Sequence, residues 1–123
     1  SFKNQLITGH NSYSSGISYY NSAISYSNSG SSLLALSQAN SARAVLNTAR
    51  NSVSDLNSRF TGLTSDYYNA ASNMVTAIDY LNSALDLLVQ SEGTSFDYSS
   101  SINSNKNLAA IYAARVKSFI DSN

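Results

Sequence analysis

The chain has 123 residues with 7 basic and 7 acidic side chains, a formal net charge of zero, and no cysteine. One domain of this length buries roughly two-thirds of its unfolded surface, and 42% apolar residues supply a core, which argues against wholesale disorder. Scattered, balanced charge argues against nucleic acid or an anionic membrane as the main partner, and the missing cysteines remove disulfides and thiol chemistry.

The first predicted helix covers about 3–29, where Leu6, His10, Tyr13, Ile17, Tyr20 and Ile24 step by threes and fours. A turn follows at "GSSLLA", 30–35. The second covers about 32–61, with Ala35, Ala39, Ala42, Leu46, Ala49, Val53, Leu56 and Phe60 on one face. A second turn reads "GLTSDY" at 62–67. The third, about 65–91, carries Tyr67, Ala71, Met74, Ile78, Leu81, Leu85 and Leu88. A third turn reads "GTSFDY" at 93–98, and the fourth helix, about 95–121, carries Tyr98, Ile102, Asn105, Ala109, Tyr112, Val116 and Phe119.

The recurring turn has a physical reading. Gly30, Gly62 and Gly93 stand where a left-handed residue ends a helix. Thr64 and Ser95, with Ser32 as a weaker case, are expected to cap the next helix, and Asp66 and Asp97 to sit in its first turn. No proline interrupts any segment. Short turns make neighbours antiparallel, so the expected fold is an all-α, up-down-up-down four-helix bundle in a single domain, 1–123. "YYNSAI" at 19–24 and "YLNSAL" at 80–85 suggest two tandem helical hairpins. Tetratricopeptide repeats place two helices in about 34 residues, whereas each period here holds one unbroken helical pattern.

Candidate site residues are few. His10, the only histidine, is expected at the level of Met74 and Arg115. A His–Met pair is a haem axial set, but a half-buried histidine beside a space-filling methionine is the plainer reading, and no cofactor is expected. Asn105 interrupts its seam, which fits register control or a ligand contact together with Tyr20. The speculative ligand-binding set is His10, Tyr13, Tyr20, Asn105 and Arg115. Asp55 and Arg59 form an i,i+4 pair. One Glu and one His cannot build a di-iron bundle. Phosphate loops, zinc-hydrolase motifs and a Gly-x-Ser-x-Gly elbow are absent, so the module is expected to be non-enzymatic, without a metal.

Charged residues are 11% of the chain, against about 25% in typical soluble proteins. A surface of Ser and Asn predicts an extracytoplasmic setting. No apolar run approaches the ~20 residues of a membrane span. A start at Ser1 suggests a processed product or an excised piece that has lost a flanking anchor. In its topology the chain resembles the four-helix ligand-binding modules of bacterial and archaeal chemoreceptors and sensor kinases. That resemblance implies a homodimer holding a small ligand between helices. The alternative expectation is a surface or secreted protein-interaction module without a small-molecule ligand.

Overall fold

A computed structural model describes all 123 residues. Four long helices, α1 (Phe2–Asn28), α2 (Ser32–Val53), α4 (Ser65–Glu92) and α5 (Ser99–Ser122), pack as a four-helix bundle, with a one-turn α3 (Leu56–Arg59) between α2 and α4. α1 opens on Ser1, whose Oγ accepts the Asn4 amide at 3.2 Å. It closes at Gly30, whose φ is +81°. There Gly30 N donates to the Ser27 carbonyl at 3.1 Å and Ser31 N to the Tyr26 carbonyl at 2.8 Å, the two bonds of a Schellman ending. Gly62 is also left-handed, with φ +78°. The Tyr68 hydroxyl secures that connection by donating to the Phe60 carbonyl at 3.2 Å and accepting from Leu63 N at 3.1 Å.

Two boundaries differ from the sequence expectation. The second helix does not run to 61. It stops at Val53, and the chain restarts as α3. Ser54, Asp55, Asn57 and Ser58 are side chains that compete for nearby backbone groups. Ser58 Oγ donates to the Asp55 carbonyl at 2.9 Å, and Asn57 Nδ2 donates to the Tyr68 carbonyl at 3.2 Å, tying α3 to α4. The fourth helix begins at Ser99 instead of 95. Gly93 has φ −102° and makes no left-handed ending. Thr94 Oγ1 accepts from Phe96 N at 3.2 Å and Asp97 Oδ1 from Ser99 N at 2.9 Å. These local turns occupy the stretch that the sequence assigns to a Ser95 cap. Thr64 holds the cap position of α4 without a side-chain bond, and Asp66 lies in its first turn.

The core follows the predicted seams closely on α2 and α4. Ala35, Ala39, Ala42, Leu46, Ala49, Val53 and Leu56 are buried, as are Ala71, Met74, Ile78, Leu81, Leu85 and Leu88. α1 is rotated from its expected seam. Its buried face is Phe2, Leu6, Gly9, Tyr13, Gly16, Tyr20 and Ala23, while His10, Ile17 and Ile24 are half-buried at its edge. The cause is steric. A Cβ at Gly9 would lie 2.5 Å from Val53 Cγ1, and one at Gly16 would lie 2.9 Å from Leu46 Cδ2. Glycine lets α1 approach α2 closely, and that contact turns the helix.

Pairing is strongest within the two hairpins, α1 with α2 and α4 with α5. The hairpins join along α2 and α4, where Arg43 pairs with Asp86 and Arg50 Nε with Asp79 Oδ1 at 3.0 Å. One heptad along α2 is matched by one heptad back along α4, as an antiparallel pair requires. Both pairs are exposed and contribute little energy, so their effect is on register. At one end a run of edge-to-face rings joins Phe2 to Phe60 (5.7 Å), Phe2 to Tyr67 (5.5 Å) and Tyr67 to Phe119 (4.9 Å). The two termini therefore share that end. At the other end Ser32 Oγ donates to Glu92 Oε2 at 2.7 Å, joining the two hairpin turns. No helix is long and apolar enough to cross a membrane.

Candidate functional site

The bundle is open along the seam between α1 and α5, which touch less than the diagonal pair α1 and α4. Midway along this seam lies a groove of about 260 Å³. His10, Tyr13 and Ile17, spaced i, i+3, i+7, form its α1 wall. Lys106, Ala110, Ala113, Ala114 and Lys117 repeat on one stripe of α5 and form the other. The three alanines leave space that larger side chains would fill, and a lysine stands at each end of the stripe.

Tyr13 is only 4% exposed, and its hydroxyl is buried without a hydrogen-bond partner. An unpaired buried hydroxyl costs about 1–3 kcal/mol. Burial also pushes its pKa up to about 12, so it stays a donor at neutral pH. The His10 ring lies 6.3 Å from the Tyr13 ring, centroid to centroid. Burial, and then the nearby Lys117 ammonium, hold His10 below its ordinary pKa, with Asp121 acting in the opposite direction. Lys117 Nζ is 2.7 Å from each Asp121 carboxylate oxygen. Lys106 makes no ion pair.

The structure thus brings together two of the five sequence candidates, His10 and Tyr13. Tyr20 is buried on α1 and does not line this groove. The Asn105 amide turns back on its own helix, donating to the Ser101 carbonyl at 2.9 Å. Arg115 belongs to a separate hollow with Asp66, Asn69 and Asn73. Its guanidinium lies 4.7 Å from the Tyr112 ring centroid, and Tyr112 stacks on Tyr80. Met74 is wholly buried in the core, while His10 opens onto α5. Lys106, Lys117 and the alanines between them escape a reading by seams. Their spacing of four, three, one and three residues is a legible stripe, one position beside the seam.

A second hollow of about 380 Å³ lies toward the turn end, among Ile24, Leu88, Phe96, Tyr98 and Ile102. Asp97 is at its rim, and the hydrogen bond from Ser99 holds its carboxyl below the usual range. No buried unpaired donor faces this hollow. Nowhere do three His, Asp or Glu side chains converge in a metal-binding group. No protein-family model, curated protein or solved structure matches this chain.

Proposed function

We propose that this chain is a non-enzymatic, extracytoplasmic binding module, the ligand-receiving bundle of a membrane sensor that acts as a homodimer. The observation that carries the reading is the open α1/α5 seam, whose α1 wall includes Tyr13, a residue with a buried and unpaired hydroxyl. A bundle selected for stability alone gains from closing such a seam and from a phenylalanine at that position. Ends that meet at one pole suit a module strung between two membrane segments. The low charge content fits an extracytoplasmic surface. Native mass spectrometry of the purified protein is the test. A dimer, or a monomer with added small-molecule mass, supports the sensor reading; a bare monomer that stays unliganded through a metabolite screen refutes it.

A second reading is a surface or secreted protein-interaction module. It is favoured by Leu33 (84% exposed), Leu34 and Phe96 (73% exposed), apolar side chains on the turn end opposite the termini. Changing Leu33 and Phe96 to Ser separates the two. The sensor reading expects small-molecule binding to be untouched.

A further inference from the structure

We infer that a second copy of this chain docks on the outer face of α4 and α5, with Ile111 of each copy seated in a hollow on α4 of the other. The inference rests on the homodimer in the reading above and names the surface through which it forms.

Three observations converge. First, α4 carries an unfilled hole. A shallow hollow of about 210 Å³ is lined by Thr76, Asp79, Tyr80 and Ser83, and no other helix lines it. Their spacing is i, i+3, i+4, i+7, the four-residue hole into which a side chain of a facing helix inserts in coiled-coil packing. Second, the neighbouring helix presents a free knob. Ile111 is 50% exposed and Leu108 38%. They lie one and four residues from Tyr112, whose ring stacks on Tyr80 at 5.8 Å. Third, symmetry matches the two. The Tyr80–Tyr112 stack sets Ile111 at the height of the hole. A two-fold axis along the bundle preserves height, so Ile111 of a second copy arrives level with the hole, and the exchange is reciprocal. The same axis keeps the termini of both copies at one pole.

Area and charge favour this face over the others. α5 has 24 residues, so the α4/α5 face is about 36 Å long and about 20 Å across. Those dimensions cover about 700 Å², close to the ~800 Å² per partner of a stable interface. The acids of α4 are neutralised from α2, Asp79 by Arg50 and Asp86 by Arg43. The Arg115 guanidinium lies against the Tyr112 ring. Pairing through the α1/α5 seam would instead set Lys106 of one copy near Lys106 of the other. The turn pole exposes Leu33 and Phe96, but residues 24–42 and 87–105 carry no Lys or Arg, only Glu92 and Asp97. Two copies would meet there acid to acid. The outer face of α1 and α2 has no hollow to receive a knob.

The experiment is sedimentation equilibrium of the full 123-residue chain, joined to cysteine cross-linking, which a cysteine-free protein allows. The native chain is expected to dimerise with a dissociation constant of about 100 μM or tighter. Ile111→Glu should weaken the dimer at least about tenfold. Glutamate is a good helix former and pairs with Arg115 four residues on, so the melting temperature of dilute, monomeric protein should hold, which separates lost docking from lost fold. Ser83→Cys and Ile111→Cys chains, mixed and oxidised, should give the mixed disulfide dimer, read by mass. Tyr19→Cys mixed with Ile111→Cys should not. If the native chain dimerises but Ile111→Glu leaves the dimer intact, or the Ser83→Cys/Ile111→Cys disulfide fails to form, this face is overturned and the homodimer stands. If the native chain stays monomeric up to about 1 mM, face and homodimer fall together, and the metabolite screen decides ligand binding separately.

Discussion

Gly9 is where the packing of α1 can be tested most sharply. A helical glycine changed to alanine at an exposed site gains about 1 kcal/mol of stability through propensity. At Gly9 the new Cβ would stand 2.5 Å from Val53 Cγ1, well inside the ~3.5–4.0 Å of a carbon–carbon contact. Val53 cannot turn aside cheaply, because a β-branched side chain in a helix has one strongly preferred rotamer. The helices must part or the valine must strain, and overpacking of this kind costs about 1–3 kcal/mol. The net effect of Gly9→Ala is therefore a destabilisation of about 0–2 kcal/mol, or a fall in Tm of a few degrees at about 4 °C per kcal/mol. Val53→Ala alone loses about 2 kcal/mol of burial and cavity energy. Combined, the two changes relieve each other, since the methyl added at Gly9 occupies space left by the valine methyls. A coupling of about 1–2 kcal/mol in favour of the double variant is expected, within the usual range for touching residues. Urea denaturation of the four proteins measures it. A gain of about 1 kcal/mol from Gly9→Ala alone, with no coupling, would refute the close approach of α1 to α2.

The other expectations are simpler to state. Tyr13→Phe removes an unpaired buried hydroxyl and should raise stability by about 1–3 kcal/mol, read as a higher Tm in calorimetry; a lower Tm would mean that the hydroxyl has a partner. His10 has a folded-state pKa below its ordinary 6.5 because burial and Lys117 oppose the charge. The unfolded chain therefore takes up a proton that the native protein refuses, so stability is lost as pH falls through 6.5 and levels off below the folded pKa. Melting curves between about pH 7.5 and 5.5 should show this slope in the native chain and a flatter one in His10→Gln; equal slopes would place His10 in solvent. Gly62→Ala forces a Cβ into φ +78° and should cost about 1–2 kcal/mol. Gly93→Ala, at φ −102° with no neighbouring atom closer than 3.8 Å, should be neutral or gain up to about 1 kcal/mol. Equal losses at the two glycines in chemical denaturation would contradict their different conformations.

The bundle is legible in the sequence because its signals are local and repeated. The apolar steps of α2 and α4 predict most of the buried faces, missing Ala70, Ala77 and Ala84 on α4 and placing the half-buried Phe60 and Tyr67 on the seam, and Gly30 and Gly62 take the left-handed conformation that their turns require. The face of α1 is harder to read because glycine carries no hydrophobic signal. Gly9 and Gly16 are buried by what opposes them on α2, Val53 and Leu46, and that is a property of two helices, not of one. The breaks at Ser54 and before Ser99 belong to the same class, since Ser, Asn and Asp serve helix and turn alike until a tertiary partner decides. Of the site candidates, His10 and Tyr13 are visible as polar members of an apolar seam. Lys106, Ala110 and Lys117 form a regular stripe in the sequence, but nothing in it marks a site, because the stripe becomes a wall only when α1 stops short of covering it.

That shortfall follows from how α1 is held. Its glycines commit it to α2, with a separation that no larger side chain would permit. The same residues turn Tyr13 toward the core edge and leave His10 and Ile17 beside α5. α5 is held by its own hairpin partner, α4, and the two hairpins are registered on the far side by Arg43–Asp86 and Arg50–Asp79. With three helix contacts fixed, the fourth is determined by what remains, and alanine at 110, 113 and 114 is too small to close it. Larger residues on that stripe would fill the seam at little cost to the other three contacts. The opening is therefore a property of the α5 sequence more than of the bundle topology.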